Sequence, residues 1–135
     1  MGAVQNVALV KRFYDAGPPD DDTQRHSFAS PDITWHVPGD NPVSGDYHGY
    51  AAVFGGIAER MQPLDNWQID VVDVMANADL VVATVHVVAA RGTARVETDG
   101  AHVFRFDAAG RIVEAWGFTA DQTGLDTVFR SRATQ

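Results

Sequence analysis

The stretch GRIVEAWGFTADQ, residues 110–122, joins the last predicted strand to the last predicted helix. Small residues at positions 115, 117 and 119 alternate with large residues at positions 114, 116 and 118. Because successive side chains of a strand point to opposite faces, one face can border a hollow while the other carries aromatic bulk. Asp121 falls on the small-residue side, directly before a helical pattern. The stretch therefore predicts a strand that borders a pocket, and it makes the carboxylate of Asp121 a candidate site residue.

Three segments before this stretch have the same strand character. Residues 67–75, 80–91 and 94–106 are rich in Val, Ile and aromatic residues, and short polar turns separate them. β-branched and aromatic residues favour strands, and short turns join neighbouring antiparallel strands. With the strand at residues 112–119, the pattern predicts a four-stranded antiparallel meander.

The N-terminal half is predicted to be mainly helical. Ala3, Val7, Val10 and Tyr14 recur at helical spacing, and residues 17–19 (Gly-Pro-Pro) end the pattern. The other predicted elements are a short helix from the acids at 20–22 to residue 28, a strand at 33–37, a Pro- and Gly-rich loop at 38–49, a helix at 50–61 and a last helix from 121 to 130. Helices followed by a long sheet predict an α+β fold.

Composition limits the class of protein. With 135 residues and 45% hydrophobic content, the chain predicts one domain over residues 1–135. Its formal charge is -8 and its ten basic residues are scattered, so we expect neither nucleic acid nor a membrane as partner. It has no cysteine, which excludes thiolate nucleophiles and disulfides. We see no signal-peptide pattern and expect a cytoplasmic protein.

The histidines and acids form no known metal-binding motif. There are five histidines, but no His-x-His or His-Glu-x-x-His spacing occurs. We therefore expect neither a metal nor a cofactor.

Several motifs, together with the order of elements, resemble the SnoaL-like polyketide cyclase family of the nuclear transport factor 2-like superfamily. They are WHVPG at 35–39, GDYHG at 45–49, HVFRF at 102–106, GRIVEAW at 110–116 and the Asp-Gln pair at 121–122. The resemblance covers nearly the whole chain. It implies a cone-shaped, curved antiparallel (mixed) sheet wrapped by N-terminal helices around an apolar cavity, commonly in a homodimer. Members include cyclases, ketosteroid isomerases, dehydratases, epoxide hydrolases and non-catalytic binders, so the activity depends on the site.

The cyclase and isomerase patterns are matched only in part. The cyclases carry a His on the fourth long strand, matched by His102, and an Asp after the Trp of the last strand, where this chain has Gly117. The ketosteroid isomerase residues, a Tyr on the first helix, a basic carboxylate and a protonated acid, align approximately with Phe13, Val37 and His102. The resemblance therefore implies His102 at a site that lacks both families' acids.

The limonene-type epoxide hydrolase pattern retains one residue. Its Asp at the start of the final helix is matched by Asp121. Its Arg-x-Asp pair falls on Thr84 and His86, and its Tyr-x-Asn pair falls on Trp35 and Val37. None of the three sets of site residues, from the cyclases, the isomerases and the epoxide hydrolases, is complete in this chain.

The candidate catalytic residues are Asp121, His102 and His86, which strand parity and the resemblance place on the cavity side. A carboxylate and an imidazole that share an apolar pocket can exchange a proton as general acid and base. The structural alternatives are that Asp121 only caps its helix and that each His is a hydrogen-bonded core residue. His36 is expected to point away from the cavity.

The candidate ligand-binding residues are side chains expected around the cavity or at its mouth: Trp35, Val37, Tyr14, His48, Phe54, Phe104 and Gly117. The leading hypothesis is an enzyme that binds a small apolar molecule, carbonyl-containing or cyclic, and performs cofactor-free acid/base chemistry. The alternatives are a non-catalytic binding or sensing domain and a dimeric scaffold with a filled core. Trp116 and Phe118 are expected to form a homodimer interface.

Overall fold

Apart from one short strand that was not predicted, helices and strands follow one another in the order that the sequence predicts for an α+β fold. A computed structural model describes residues 2–17 and 21–131. The helices are α1 (Ala3–Ala16), α2 (Asp22–Phe28), a π-helical segment (Ala51–Gly56) that continues into α3 (Ile57–Met61), and α4 (Gln122–Arg130). The strands are β1 (Ala29–Val37), β2 (Gly45–His48), β3 (Asn66–Ala76), β4 (Leu80–Arg91), β5 (Ala94–Phe106) and β6 (Ile112–Thr119). Asp20, one of the acids predicted to open the second helix, lies outside the described residues.

The six strands form one open mixed sheet in the order β2-β1-β6-β5-β4-β3. The predicted meander from β3 to β6 is antiparallel, whereas β1 pairs with β6 in parallel. The α+β fold with a mixed sheet is confirmed. The prediction of a loop over residues 38–49 was incomplete, because β2 lies within it and pairs with the end of β1.

The alternation of buried and partly buried residues along β4 distinguishes the two faces of the sheet. The buried side chains of β4 are at odd positions, including Val85 and Val87, while His86 between them is only partly buried. The buried face packs on Val10 of α1, Phe28 of α2 and the aromatic core. We call this the inner face and its opposite the outer face. Since hydrophobic burial drives this packing, the inner face is where a cavity can form.

The predicted helix over residues 50–61 begins as a π-helical turn. Gly55 and Gly56 fall at the end of that turn, before α3 begins. Glycine is a poor helix former, and π-helical turns are rare and occur mostly as single turns within α-helices. This segment and α3 lie over the cavity.

Candidate functional site

A partly enclosed cavity of about 320 Å³ lies between the inner face and the helices. Most of the cavity wall is apolar, and both the sheet and the helices contribute to it. The sheet contributes Trp35, Val37, Ile69 and Val87, and the helices contribute Phe13, Phe54, Met61 and Phe129. The volume is at the lower end of the range typical of small-molecule sites, about 300–1,000 Å³. The cavity therefore suits a small, largely apolar molecule.

Tyr14 and His102 place polar atoms in this apolar wall. The hydroxyl of Tyr14 on α1 is hydrogen-bonded to Nδ1 of His102 on β5, and both residues line the cavity. Their rings are nearly parallel, with centroids 5.9 Å apart. We call these two residues the dyad. The sequence suggested each residue for the site but gave no sign of their pairing, because 88 positions separate them.

Small residues make room for the imidazole within the sheet. His102 is paired with Ala83 on β4 and with Gly117 on β6. A Cβ atom on Gly117 would lie 3.7 Å from Cδ2 and 3.9 Å from Nε2 of His102, and 3.4 Å from Cδ of Pro38. Because glycine has no side chain there, the Nε2 edge of the ring is left open on the side of β6. Gly117 lines the cavity, as the alternation in β6 predicts.

Aromatic rings hold the dyad from the other sides. Trp35 meets His102 edge to face at 6.0 Å between centroids, and Phe104 does so at 6.3 Å. Phe104 is fully buried and also contacts Tyr14. Such rings fix orientation while keeping the surroundings apolar. Trp35 lines the cavity, whereas Phe104 supports the dyad from within the core.

Burial keeps both members of the dyad uncharged near neutral pH. It lowers the pKa of His102 from 6.5 to about 4 and raises the pKa of Tyr14 above its ordinary value. In each case the cause is loss of water around the charged form. At pH 7 the pair therefore consists of a neutral imidazole and a neutral phenol.

The prediction that His86 faces the cavity was wrong. His86 lies on the outer face, where its ring is hydrogen-bonded to Oδ1 of Asp99 at 2.8 Å and Oε2 of Glu97 at 2.7 Å. The hydrogen bond to Asp99 and then that to Glu97 raise its pKa. Both parities of β4 are rich in apolar residues, so the sequence could not tell which parity points inward.

Asp121 was also predicted to border the cavity, and the structure places it elsewhere. Its carboxylate is exposed and caps α4 by accepting a hydrogen bond from the backbone N–H of Gly124 at 2.8 Å. It is not among the cavity-lining residues. The structural alternative, a helix cap, therefore describes its contacts.

The other predicted binding residues divide between the cavity and the surface. Trp35, Val37, Tyr14, Phe54 and Gly117 line the cavity. His48 does not: it is exposed and hydrogen-bonded to the hydroxyl of Thr34 at 2.9 Å. Its neighbour Tyr47 takes the buried position in β2, so strand alternation turns His48 outward.

His36 lies on the outer face, as expected. Its ring is hydrogen-bonded to Asp46 and Glu114, each at 2.6 Å, and stacks on Trp116 with centroids 5.7 Å apart. The hydrogen bonds to Asp46 and then to Glu114 raise the pKa of His36. Phe118, two positions after Trp116 in β6, is 55% exposed and also borders the cavity near the end of the strand.

A buried acid that the sequence did not single out fixes one wall of the cavity. Asp126 of α4 accepts hydrogen bonds from the side chains of Asn41 at 2.7 Å and Gln122 at 2.8 Å. Burial alone would raise the pKa of Asp126, but these hydrogen bonds outweigh it and hold the pKa below its ordinary value. Asp126 thus ties the loop after β1, which brings Pro38 to the cavity, to α4.

Two kinds of feature are missing from the described part of the chain. Within residues 2–17 and 21–131, no three His, Asp or Glu side chains are grouped so as to hold a metal ion. No helix in these ranges is both long and apolar enough to cross a membrane.

Comparison with solved structures agrees with the fold. Bal32a, from a soil-derived mobile gene cassette, is 25% identical, with a TM-score of 0.83, and the match covers 95% of this chain and 98% of Bal32a. A protein of unknown function with a cystatin-like fold from Xanthomonas campestris is 29% identical, with a TM-score of 0.78, over 97% of this chain and 100% of that one. A nuclear transport factor 2-like protein from Burkholderia xenovorans is 18% identical, with a TM-score of 0.78, over 96% and 99%.

Sequence comparison gives the family. No curated protein is significantly similar to the chain. A family model described as the SnoaL-like domain matches residues 10–115, which include the second half of α1, the dyad and the first half of β6. The chain therefore belongs to the SnoaL-like domain family, with the nuclear transport factor 2-like fold.

Proposed function

We propose that the chain binds a small, uncharged, largely apolar molecule that carries a carbonyl or hydroxyl oxygen, and that it performs acid/base chemistry on this molecule. The observation that carries the proposal is the hydrogen-bonded pair of Tyr14 and His102 in the wall of an apolar cavity. A cavity with few polar groups binds the apolar part by shape and orients the ligand by its oxygen.

The charge state of the dyad favours a neutral ligand. Neither Tyr14 nor His102 carries a charge at pH 7, and the described cavity-lining residues include no Lys, Arg, Asp or Glu. Burying a carboxylate without a partner of opposite charge is costly. A ketone or phenol, in contrast, exchanges hydrogen bonds to water for hydrogen bonds to the dyad.

The chemistry assigned to this site differs from the one expected from sequence. Because Asp121 and His86 lie away from the cavity, the proposed acid and base are the two members of the dyad. General acid/base catalysis contributes about 10²–10⁴-fold to a rate when the groups are well placed.

Binding is tested with three ligands of similar shape: β-tetralone, tetralin, which lacks the oxygen, and tetralin carboxylate. We expect β-tetralone to raise the melting temperature most, because only it combines an apolar body with a neutral oxygen. The Tyr14→Phe variant should reduce the effect of β-tetralone to that of tetralin. Equal shifts with β-tetralone and tetralin in the unaltered protein, or no shift with either, would contradict the proposal.

Tyr50→Phe is the matched control for Tyr14→Phe. The hydroxyl of Tyr50 donates to the backbone oxygen of Ala29 at 2.7 Å, and Tyr50 is not among the cavity-lining residues. This variant loses a phenolic hydroxyl outside the site. It should keep the preference for β-tetralone.

The second candidate function is a non-catalytic binding or sensing domain. The absence of a carboxylate from the described cavity wall favours it, because a carboxylate is a stronger base than a neutral phenol. In that case ligands should bind with the same selectivity and leave unchanged.

We also propose that the protein forms a homodimer through its outer face. Phe118 is 55% exposed and Met75 is 48% exposed on this face, which suits an apolar contact with a second copy. Light scattering should give the mass of a dimer, and Phe118→Glu should give a monomer. Val4→Glu, at an exposed apolar residue of α1, is the control and should stay dimeric. A monomeric unaltered protein would refute the proposal.

A further inference from the structure

The loop between β1 and β2, residues 38–44, is a hydrogen-bonded unit of its own. Oδ1 of Asn41 accepts the backbone N–H groups of Val43 at 2.8 Å and of Ser44 at 3.1 Å. Oγ of Ser44 accepts the backbone N–H of Asn41 at 3.1 Å and donates to the backbone oxygen of Pro38 at 2.9 Å. Side-chain bonds to nearby backbone groups fix the shape of a loop. Residues 38–44 can therefore move as one piece.

Asp126 of α4 holds this loop against the helix. Its Oδ1 accepts the side-chain amide of Asn41 at 2.7 Å, and we call this contact the clasp. Among the described residues, the other polar contact between the loop and α4 is the ion pair of Arg130 with Asp40, in which nitrogen and oxygen are 3.7 Å apart. The Asp40 side chain is 99% exposed, and ion pairs at the surface contribute little. The clasp is therefore the main polar link between the loop and α4.

The clasp joins two parts of the cavity wall. Pro38 and Val43 of the loop line the cavity. Leu125 and Phe129, on either side of Asp126 in α4, line it as well. A loop that moved away from α4 would open a gap between these two parts. Residues 38–44 belong to no strand, so the gap opens without breaking the sheet.

The two ends of the loop are held differently. At the β2 end, the hydroxyl of Tyr47 donates to the backbone oxygen of Val43 at 2.6 Å, and both residues are buried. At the β1 end, a Cβ atom on Gly39 would lie 2.3 Å from Oδ1 of Asp126. Only a residue without a side chain lets this end lie so close to the carboxylate. The β1 end therefore depends on the clasp, while the β2 end has an anchor of its own.

Opposing contributions keep the clasp reversible. Asp126 is only 8% exposed, and its two side-chain partners, Asn41 and Gln122, are neutral. Burying a carboxylate costs free energy, which offsets much of what its hydrogen bonds contribute. When the clasp opens, water replaces the donors and the carboxylate regains its hydration. This compensation keeps the free-energy difference between the closed and the open loop small.

Resting on the binding function proposed above, we propose that Asp126 is a positioning residue that clasps residues 38–44 over the cavity, and that bound molecules enter and leave as the clasp opens. Asp126 is not among the cavity-lining residues. It acts through Pro38 and Val43, which the clasp keeps in the cavity wall.

Two single substitutions open the clasp from opposite sides, so either one tests it if the other does not fold. Asp126→Asn puts an amide against the amide of Asn41, and Asn41→Asp puts a carboxylate against Asp126. Asn41→Asp keeps the oxygen that accepts the N–H groups of Val43 and Ser44, so the loop keeps its own shape.

Each single variant should release β-tetralone about 10-fold faster or more, because one hydrogen bond to a charged group is lost. Association should not slow, since an open cavity is easier to enter. Line-shape analysis of the proton NMR signals of β-tetralone, at a series of protein concentrations, gives both rate constants.

The double variant Asp126→Asn with Asn41→Asp exchanges donor and acceptor. An amide at position 126 can donate to a carboxylate at position 41, so the clasp forms again with its polarity reversed. Release of β-tetralone should return to within about 3-fold of the unaltered rate, because the two changes compensate each other. Release as fast as in the single variants would show that this contact does not close the cavity, and would refute the clasp.

Asp121→Ala is the matched control on the same helix. It destabilises α4 by removing the acceptor for the Gly124 N–H, at a residue that does not line the cavity. Both rate constants should stay unchanged. Equally fast release in this variant would mean that any loosening of α4 has the same effect, which contradicts a specific role of Asp126.

Acrylamide quenching of tryptophan fluorescence examines the clasp without a ligand. Trp35 and Trp67 line the cavity, so a small neutral quencher reaches them more easily when the loop opens. Both single variants should show a higher quenching constant than the unaltered protein. The double variant and Asp121→Ala should resemble the unaltered protein.

The outcomes separate the clasp from the proposed binding function. If β-tetralone binds but both single variants release it at the unaltered rate, the clasp is refuted and binding stands. If β-tetralone does not bind the unaltered protein, the proposed function fails and the quenching alone decides. Unchanged quenching in the single variants then refutes the clasp, and higher quenching supports it.

Discussion

Gly117 and His102 face each other on adjacent strands, and a Cβ atom on Gly117 would lie 3.9 Å from Nε2 of the imidazole. This is ordinary van der Waals distance, so a methyl group fits but covers part of the nitrogen edge. Gly117→Ala should therefore fold, with a stability change within about 1 kcal/mol, and should bind β-tetralone more weakly. Thermal unfolding and saturation-transfer NMR measure the two effects.

Gly55→Ala is the control for this substitution. A Cβ atom on Gly55 would meet no atom within 4 Å, and the residue lies in a helical segment. We expect it to stabilise the protein by about 0.5–1 kcal/mol without changing binding. Unchanged β-tetralone affinity in Gly117→Ala would show that the open Nε2 edge is not used.

The buried His102 makes stability depend on pH in a defined direction. Its pKa is about 4 in the folded protein and 6.5 when the imidazole is surrounded by water, so the unfolded chain takes up a proton first as pH falls. The stabilisation is complete above about pH 6.5 and is lost as pH falls towards about 4, by about 3 kcal/mol in total. Urea unfolding at a series of pH values measures this change.

His102→Phe isolates that contribution from those of other groups. His36 and His86 have raised pKa values, and their stabilisation is instead lost as pH rises through those values. Both remain in the variant. The difference in unfolding free energy between the unaltered protein and His102→Phe should therefore change only between about pH 6.5 and about pH 4. A difference that is constant over this range would contradict the burial of a neutral imidazole.

Asp121 is predicted to act in stability and not in binding. Asp121→Ala removes the acceptor for the Gly124 N–H and should destabilise the protein by about 1 kcal/mol. Asp121→Ser keeps a capping oxygen, so it should lower the stability by only a few tenths of a kcal/mol. Neither variant should change the affinity for β-tetralone. A loss of affinity in both variants would return Asp121 to the site.

The loop after β1 should tolerate no side chain at Gly39. This glycine has a φ of +97°, and a Cβ atom would overlap the side chains of Gln122 and Asp126. Gly39→Ala should lower stability by about 2 kcal/mol or more, because backbone strain adds to the broken contacts of Asp126. Chemical denaturation measures the loss.

Gly45→Ala separates the two causes. Gly45 also has a positive φ, +142°, but a Cβ atom there would meet nothing within 4 Å. It should show the backbone strain alone, about 1 kcal/mol. Equal losses in the two variants would mean that the contacts of Asp126 contribute little.

The four strands of the meander were predictable because their signals are local. Val, Ile and aromatic residues recur along β3 to β6, and the turn residues lie between them. The two faces of β6 were also predictable, since small and large residues alternate strictly from Glu114 to Thr119. In β2 the signal was too weak, because only Tyr47 of its four residues is buried.

The sequence could not predict which side chains of a strand point inward where both the odd and the even positions are apolar. Valine occurs at odd and even positions of β4, so the pattern fits either orientation of His86. Its true orientation depends on which parity α1 covers. Asp121 shows a related ambiguity, because an acid before a helix satisfies capping and would satisfy catalysis equally well at the level of sequence.

The sequence by itself determined the order of the helices and of strands β3 to β6, the alternation of β6 and the cap of α4, because each depends on neighbours a few positions apart. Only the tertiary structure decided that Tyr14 and His102 share a hydrogen bond and that Asp121 and His86 stay outside the cavity. The packing of α1 on the sheet brings the dyad together across 88 positions, and the register of β5 against β6 places Gly117 beside His102. These contacts follow from the burial of whole faces, which no short stretch of sequence contains.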